Sequence, residues 1–145
     1  LIVVGGGGVA DAVRQWDRVH QLGEEAAHRV ACASLGVSAR FAAELLQAEL
    51  AATREIAGER WARSNVCVLD LPAFLEREEP RDPAAPPHTW DTTSDTFAAW
   101  VASRWPAQRL VMLKSCDERP DAVDGRFARY SAGLRVDWIN LRSGL

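Results

Sequence analysis

Short apolar runs alternate along the chain with longer stretches in which apolar positions recur every three or four residues. The first pattern reads as buried strand and the second as amphipathic helix. Leu1 to Val4, apolar on both faces, predict a short buried strand. Val9 to about His20 predict a helix with Val9, Val13, Trp16 and Val19 on one face and Asp11, Arg14 and Arg18 on the other. A second helix is expected from about Gly23, with Glu24 and Glu25 in its first turn, where negative charge suits the helix dipole. Gly36 is expected to end it, and Val37 to about Leu50 to form a third helix. Ala51 to Arg63 read as partly helical.

Val66 to Leu69 predict a second strand, followed by a short helix from about Pro72, a residue favoured at helix starts. The segment PRDPAAPPHTW predicts an irregular loop long enough to serve as a lid or binding loop. Ser94 is a natural N-cap for a helix from Asp95 to about Trp105, with Pro106 as its stop. Leu110 to Leu113 and Leu134 to Ile139 predict further strands, with a short helix from Asp124 to Ala132 between them, ended by Gly133. Strands alternating with helices predict an α/β fold on a mainly parallel sheet. No repeat or dividing linker is visible, so residues 1–145 read as a single domain.

Composition narrows the function. A net charge of −3 and basic residues scattered along the chain argue against a nucleic-acid-binding surface, and no apolar run reaches the roughly 18 residues of a membrane helix. Cys32, Cys67 and Cys116 are widely spaced, odd in number and without a CxxC pair, which predicts reduced thiols in a cytoplasmic protein. His20, His28 and His88 read as surface or packing residues, and most of the six tryptophans as core. Trp90, beside a polar cluster, is a candidate for stacking on a flat ring. Among 17 basic residues Lys114 is the only lysine, a compact point charge where every other cation is a planar guanidinium.

In parallel sheets ligands sit outside the carboxyl ends of strands, and three segments leave such ends. Gly5, Gly6, Gly7 and Gly8 allow positive φ and close approach of backbone N–H groups to an anion at a helix start. They match neither GxGxxG nor a Walker A loop. In HTWDTTSDTFAAW, Asp91, Thr92, Thr93, Ser94 and Asp95 gather hydroxyls and carboxylates at a helix start, a set able to hold a phosphate or orient a lysine, and equally an ordinary cap. In LVMLKSCD, Lys114, Ser115 and Asp117 follow a strand, where a cation can neutralise phosphate.

Taken in order, the glycine run, the Thr/Ser/Asp helix start and the strand followed by Lys-Ser-x-Asp resemble the amino acid kinase superfamily. The stretches GGGGVADAVRQWDRVHQLGEEAAHRVA, HTWDTTSDTFAAWVA, LVMLKSCD and VDWINLR look most like its [5-(aminomethyl)furan-3-yl]methyl phosphate kinase branch, which serves methanofuran-type cofactor synthesis in C1 metabolism. The resemblance implies a three-layer αβα sandwich, transfer of the ATP γ-phosphoryl group with Mg²⁺ to a small phosphorylated or acidic acceptor, and a homo-oligomer. It implies that Gly5, Gly6 and Gly7 contact the transferred phosphate and acceptor, and that Asp95 organises catalytic lysines. It places Thr93 and Ser94 near the acceptor and Lys114, Ser115 and Asp117 on the nucleotide side. Arg14, one turn past the glycines, would reach an acidic acceptor. The superfamily's opening strand with Lys-x-Gly-Gly-Ser has no counterpart in the sequence, so an N-terminally incomplete copy is expected, either part of a longer chain or a divergent copy without that strand. The alternatives are a non-catalytic nucleotide- or anion-binding or storage subunit on the same fold, and an unrelated nucleotide-dependent enzyme such as a dehydrogenase.

Overall fold

The computed structural model describes residues 1–63, 65–105 and 107–143; Pro106, the expected helix stop, lies outside them. The chain is mixed α/β and divides into two compact units, Leu1–Trp90 and Asp91–Leu145.

In the first unit, α1 spans Gly7–His20 and α2 spans Glu24–Leu46. They are followed by β1 (Glu49–Ala51), α3 (Arg54–Trp61), β2 (Cys67–Leu69), α4 (Leu71–Glu78) and a 3₁₀ turn at Glu79–Arg81. β1 and β2 pair in parallel, with Leu50 opposite Val68. Ile2 joins the other edge of β2 through a single parallel bridge to Val68. The Ile2 amide donates to the Cys67 carbonyl at 2.9 Å, and Leu69 donates back to Ile2 at 2.8 Å. β2 therefore lies between two parallel neighbours, which is why all three of its residues are buried. The expected Leu1–Val4 strand is reduced to this bridge, and its residues are half-buried or exposed. Ala39, Ala43 and Val68 form a core cluster, with Ile2, Val4, Ala48 and Leu50 packed against it.

Two expectations for this unit are corrected. Gly36 does not end a helix; the two expected helices are one, α2. A glycine inside a helix costs about 1 kcal/mol relative to alanine, and here it makes room for a neighbour: a Cβ on Gly36 would lie 3.0 Å from Pro72 Cγ. Buried Cys32, Leu35, Ala39 and Ala43 on either side carry the helix through. Its end comes at Gln47, in the left-handed region at φ 50°, whose amide bonds back to Ala43 and Glu44. Glu49 and Leu50, expected at the tail of the third helix, are instead strand, because pairing with β2 overrides the helix preference of AELLQAEL. The predicted inner face of α1 buries only Val13; Val9, Trp16 and Val19 are exposed.

In the second unit, α5 spans Ser94–Arg104, β3 Leu110–Lys114, α6 Phe127–Tyr130 and β4 Val136–Asn140, with a 3₁₀ turn at Pro120–Ala122. β3 and β4 pair in parallel, with Lys114 opposite Asn140 at the carboxyl end. The core is Ala99, Met112 and Phe127, lined by Leu110, Val123, Tyr130, Leu134 and Trp138. α5 is buried from Thr96 to Ala102. Its N-cap is Thr93 rather than Ser94: Thr93 is the extended residue, and its hydroxyl oxygen accepts from the Asp95 amide at 3.4 Å. The helix expected from Asp124 is only Phe127–Tyr130, because the Asp124 carboxylate caps it from outside. The tryptophans are less uniformly core than expected: Trp100 and Trp105 are buried, but Trp16 and Trp61 are exposed.

The strands are parallel, as the alternating pattern requires, and among the described residues they form two two-stranded sheets. No helix among these residues is long and apolar enough to cross a membrane.

The glycine run has two structurally different parts. A Cβ on Gly6 would collide with the Ala10 Cβ, a fixed point on α1, and would lie 3.2 Å from Leu35 Cδ2. Gly7 is needed for its φ of 50°. Gly8 is helical and open on all sides. Gly6→Ala is therefore expected to destabilise by about 1–3 kcal/mol through overpacking, whereas Gly8→Ala is expected to stabilise by up to about 1 kcal/mol. Urea unfolding of the two variants tests this opposition of sign.

Candidate functional site

The richest polar constellation lies in the second unit, where the start of α5 meets the carboxyl end of β3. The Lys114 ammonium, on the last residue of β3, donates to both oxygens of Asp95, each at 2.7 Å. Asp95 sits in the first turn of α5, and the pair is largely withdrawn from water, with side chains 22% and 14% exposed. Burial raises the Asp95 pKa above the usual carboxylate value; Lys114 pulls it back, and the neighbouring charge of Asp124 pushes it up again.

Asp124 organises this corner. Its Oδ2 accepts from the Thr93 hydroxyl at 2.7 Å, the Thr93 amide at 3.1 Å and the Thr96 amide at 3.0 Å. Its Oδ1 accepts from the Thr96 hydroxyl at 2.5 Å and from the amides of Arg126 and Phe127, both at 3.0 Å. One carboxylate thus joins the N-terminus of α5 to that of α6. Burial works against the ionised form, but the hydrogen bonds led by Thr96 and Thr93 outweigh it and hold the Asp124 pKa below its ordinary value. Past β3, Trp138 Nε1 donates to the Cys116 carbonyl at 2.8 Å and Asn140 Nδ2 to Asp117 Oδ1 at 2.8 Å, so β4 fixes the loop that carries Ser115 and Asp117.

The expected site residues fall in both units. Thr93, Ser94, Asp95, Lys114, Ser115 and Asp117 belong to the second, where Lys114 is held by Asp95 and Thr93 by Asp124. Ser115 and Asp117 are exposed beyond β3. Gly5, Gly6, Gly7, Gly8 and Arg14 belong to the first unit. There Arg14 is paired with Asp11 at 3.1 Å, and its guanidinium lies 5.2 Å over the Trp90 ring. Trp90 Nε1 donates to Asp17 Oδ2 at 2.8 Å, so this tryptophan is fastened to α1. Sequence reasoning missed Asp124 as a site residue; the available signal was Asp-Gly ahead of a short apolar helix, a capping and turn pattern.

A second cluster lies in the first unit. His88, in the proline-rich segment, places Nδ1 2.7 Å from Glu25 Oε2 and Nε2 3.3 Å from Glu79 Oε2. Its ring stacks on that of His28 with centroids 4.4 Å apart, and His28 Nε2 is 3.3 Å from Cys32 Sγ. Burial and the nearby His88 charge lower the His28 pKa to about 4. Burial lowers that of His88 too, but Glu25 and Glu79 outweigh it and raise the pKa. Burial raises the Glu79 carboxyl and pushes the Cys32 thiol up to about 12. Cys32, Cys67 and Cys116 are all unpaired thiols. His28 and His88 thus pack against each other, one of the two roles expected of the histidines, and the spacing His28-x-x-x-Cys32 was the sequence signal for a polar cluster.

Comparison of the sequence with protein-family models and with curated proteins finds no match.

Proposed function

We propose that the protein is an ATP-dependent phosphotransferase acting on a small phosphorylated or acidic acceptor, with Lys114 and Asp95 at its centre. The observation that carries this reading is the placement of the chain's only lysine at the carboxyl end of a parallel strand, held by both oxygens of a largely buried aspartate. Phosphoryl transfer asks the protein for positioning and charge neutralisation rather than covalent chemistry. An ammonium oriented by a carboxylate supplies both: Asp95 fixes Lys114, and Lys114 faces the charge that spreads over the transferred phosphoryl oxygens. Asp124 holds the start of α5, and hence Asp95, in place. Ser115 and Asp117 would serve the nucleotide, as the resemblance implies.

The carboxylates at this edge do not make a magnesium cage. Asp95 is engaged by Lys114, Asp117 by Asn140, and Asp124 by amides and hydroxyls. Magnesium, which favours a few carboxylates plus substrate phosphates, would arrive on the triphosphate, and no step above depends on it.

The same reading takes the chain as one amino-acid-kinase-like domain of three-layer αβα architecture, cytoplasmic, with an aminomethylfuran phosphate as the candidate acceptor. Exposed Val37, Phe41 and Leu45, spaced by four residues along α2, give it an apolar stripe suited to a homo-oligomer. A second reading, a non-catalytic nucleotide- or anion-binding subunit, is favoured by one observation: Lys114 is already closed onto Asp95.

Thermal unfolding with and without MgATP tests both. Saturation at 100 times Kd adds about 2.7 kcal/mol of stability, so Tm should rise. A rise with ATP consumption supports the transferase, and a rise without it the binding subunit. No rise and no consumption contradict both.

A further inference from the structure

We propose that His28, His88 and Glu79 form a binding site for one divalent transition-metal ion of the zinc class, and that occupancy fastens the proline-rich segment to α2. The three residues come from distant parts of the first unit: α2, the 3₁₀ turn after α4, and the irregular segment beyond it. The fold nevertheless brings one ligand atom of each within 4.8 Å of the others. Two imidazoles and a carboxylate are a zinc donor set, too rich in nitrogen for magnesium or calcium.

Two further observations point to an ion. Glu79 Oε1 is buried and has no hydrogen-bond partner. A buried carboxylate oxygen left unmatched is costly, and a cation between the imidazoles would satisfy it. The second is the orientation of His88. Its Nδ1 faces the Glu25 carboxylate, leaving Nε2 toward Glu79. A carboxylate behind an imidazole is the arrangement that fixes the tautomer and raises the basicity of a metal-binding histidine.

The rings now stack nearly parallel, 12° between planes. Tetrahedral zinc with Zn–N of about 2.0 Å holds ligand atoms about 3.3 Å apart. Binding therefore requires a modest turn of the rings, which draws His88 and its segment toward α2. Cys32 Sγ, 3.3 Å from His28 Nε2, borders the site.

The test needs no nucleotide and is independent of the phosphotransferase reading. The full chain, stripped with a chelator, is titrated with zinc chloride by calorimetry and melted with zinc or with chelator. One equivalent should bind and raise Tm. Glu79→Gln and His88→Gln should each weaken binding at least 10-fold, and Glu25→Gln, at an exposed position, by roughly 10-fold or more. Cobalt(II) added to the wild-type chain should give the intense visible bands of a tetrahedral site, a readout that does not depend on any variant folding. No stoichiometric binding, binding undiminished by Glu79→Gln and His88→Gln, or a cobalt spectrum like that of the hydrated ion would overturn the assignment.

Discussion

Asp124→Ala is expected to cost the protein roughly 3 kcal/mol and to lower its Tm by roughly 10 °C. The side chain accepts from hydroxyl and amide donors of Thr93 and Thr96 and from the amides of Arg126 and Phe127. Removing it orphans those donors at once, and Thr96 is fully buried. Asp124→Asn is expected to be nearly as damaging, because its amide group would point a donor into a ring of donors. The effect is pH-dependent. The folded-state pKa of Asp124 is lowered, so its contribution is present above the unfolded carboxylate pKa and is lost as pH falls through the folded one. Asp95 opposes it: its pKa is raised, so its contribution is present at low pH and is lost as pH rises through the folded value. Urea unfolding of wild type and Asp124→Asn across the acid range should show the acid-side loss reduced in the variant. Equal stability of Asp124→Ala and wild type at neutral pH would contradict this account of the corner.

The second large effect falls on activity. Asp95→Asn and Lys114→Ala are each expected to lower the phosphoryl-transfer kcat by roughly 10²–10³-fold, the cost of losing one preorganised charge at the reacting centre. Lys114→Arg should not rescue it. A guanidinium keeps the charge but replaces a point donor with a wide fork, which cannot seat on Asp95 and a phosphate in the same way. Lys114→Ala also leaves Asp95 beside Asp124 without its cation, so the Asp95 pKa should rise further. Steady-state kinetics with matched unfolding curves separate lost chemistry from lost folding.

Local patterns in the sequence located α5, β3 and β4 to within a few residues, because burial there follows short apolar runs with clear flanks. They failed where tertiary pairing decides. Glu49–Ala51 has helix-favouring neighbours and becomes strand only because β2 offers a parallel edge. Gly36 looks like a stop and is instead a passing place for Pro72. Leu1–Val4 is apolar enough for a buried strand, yet Ile2 alone forms a bridge. At the candidate site, Asp95 and Lys114 stood out by chemical type: a carboxylate at a helix start, and a lone lysine after a strand. Asp124 did not stand out, because its partners Thr93 and Thr96 lie about thirty residues earlier, and nothing local marks such a bond. His28, Glu79 and His88 were hidden for the same reason.

The most direct test of the central proposal is ³¹P NMR of the full chain incubated with MgATP and a panel of small phosphomonoesters and carboxylates, beside the Lys114→Ala variant. Loss of the ATP γ-phosphate signal, with a new diphosphate or acyl-phosphate resonance in the wild-type sample and not in the variant, is the predicted result. An unchanged ATP spectrum with every acceptor, or equal turnover in wild type and variant, would contradict it.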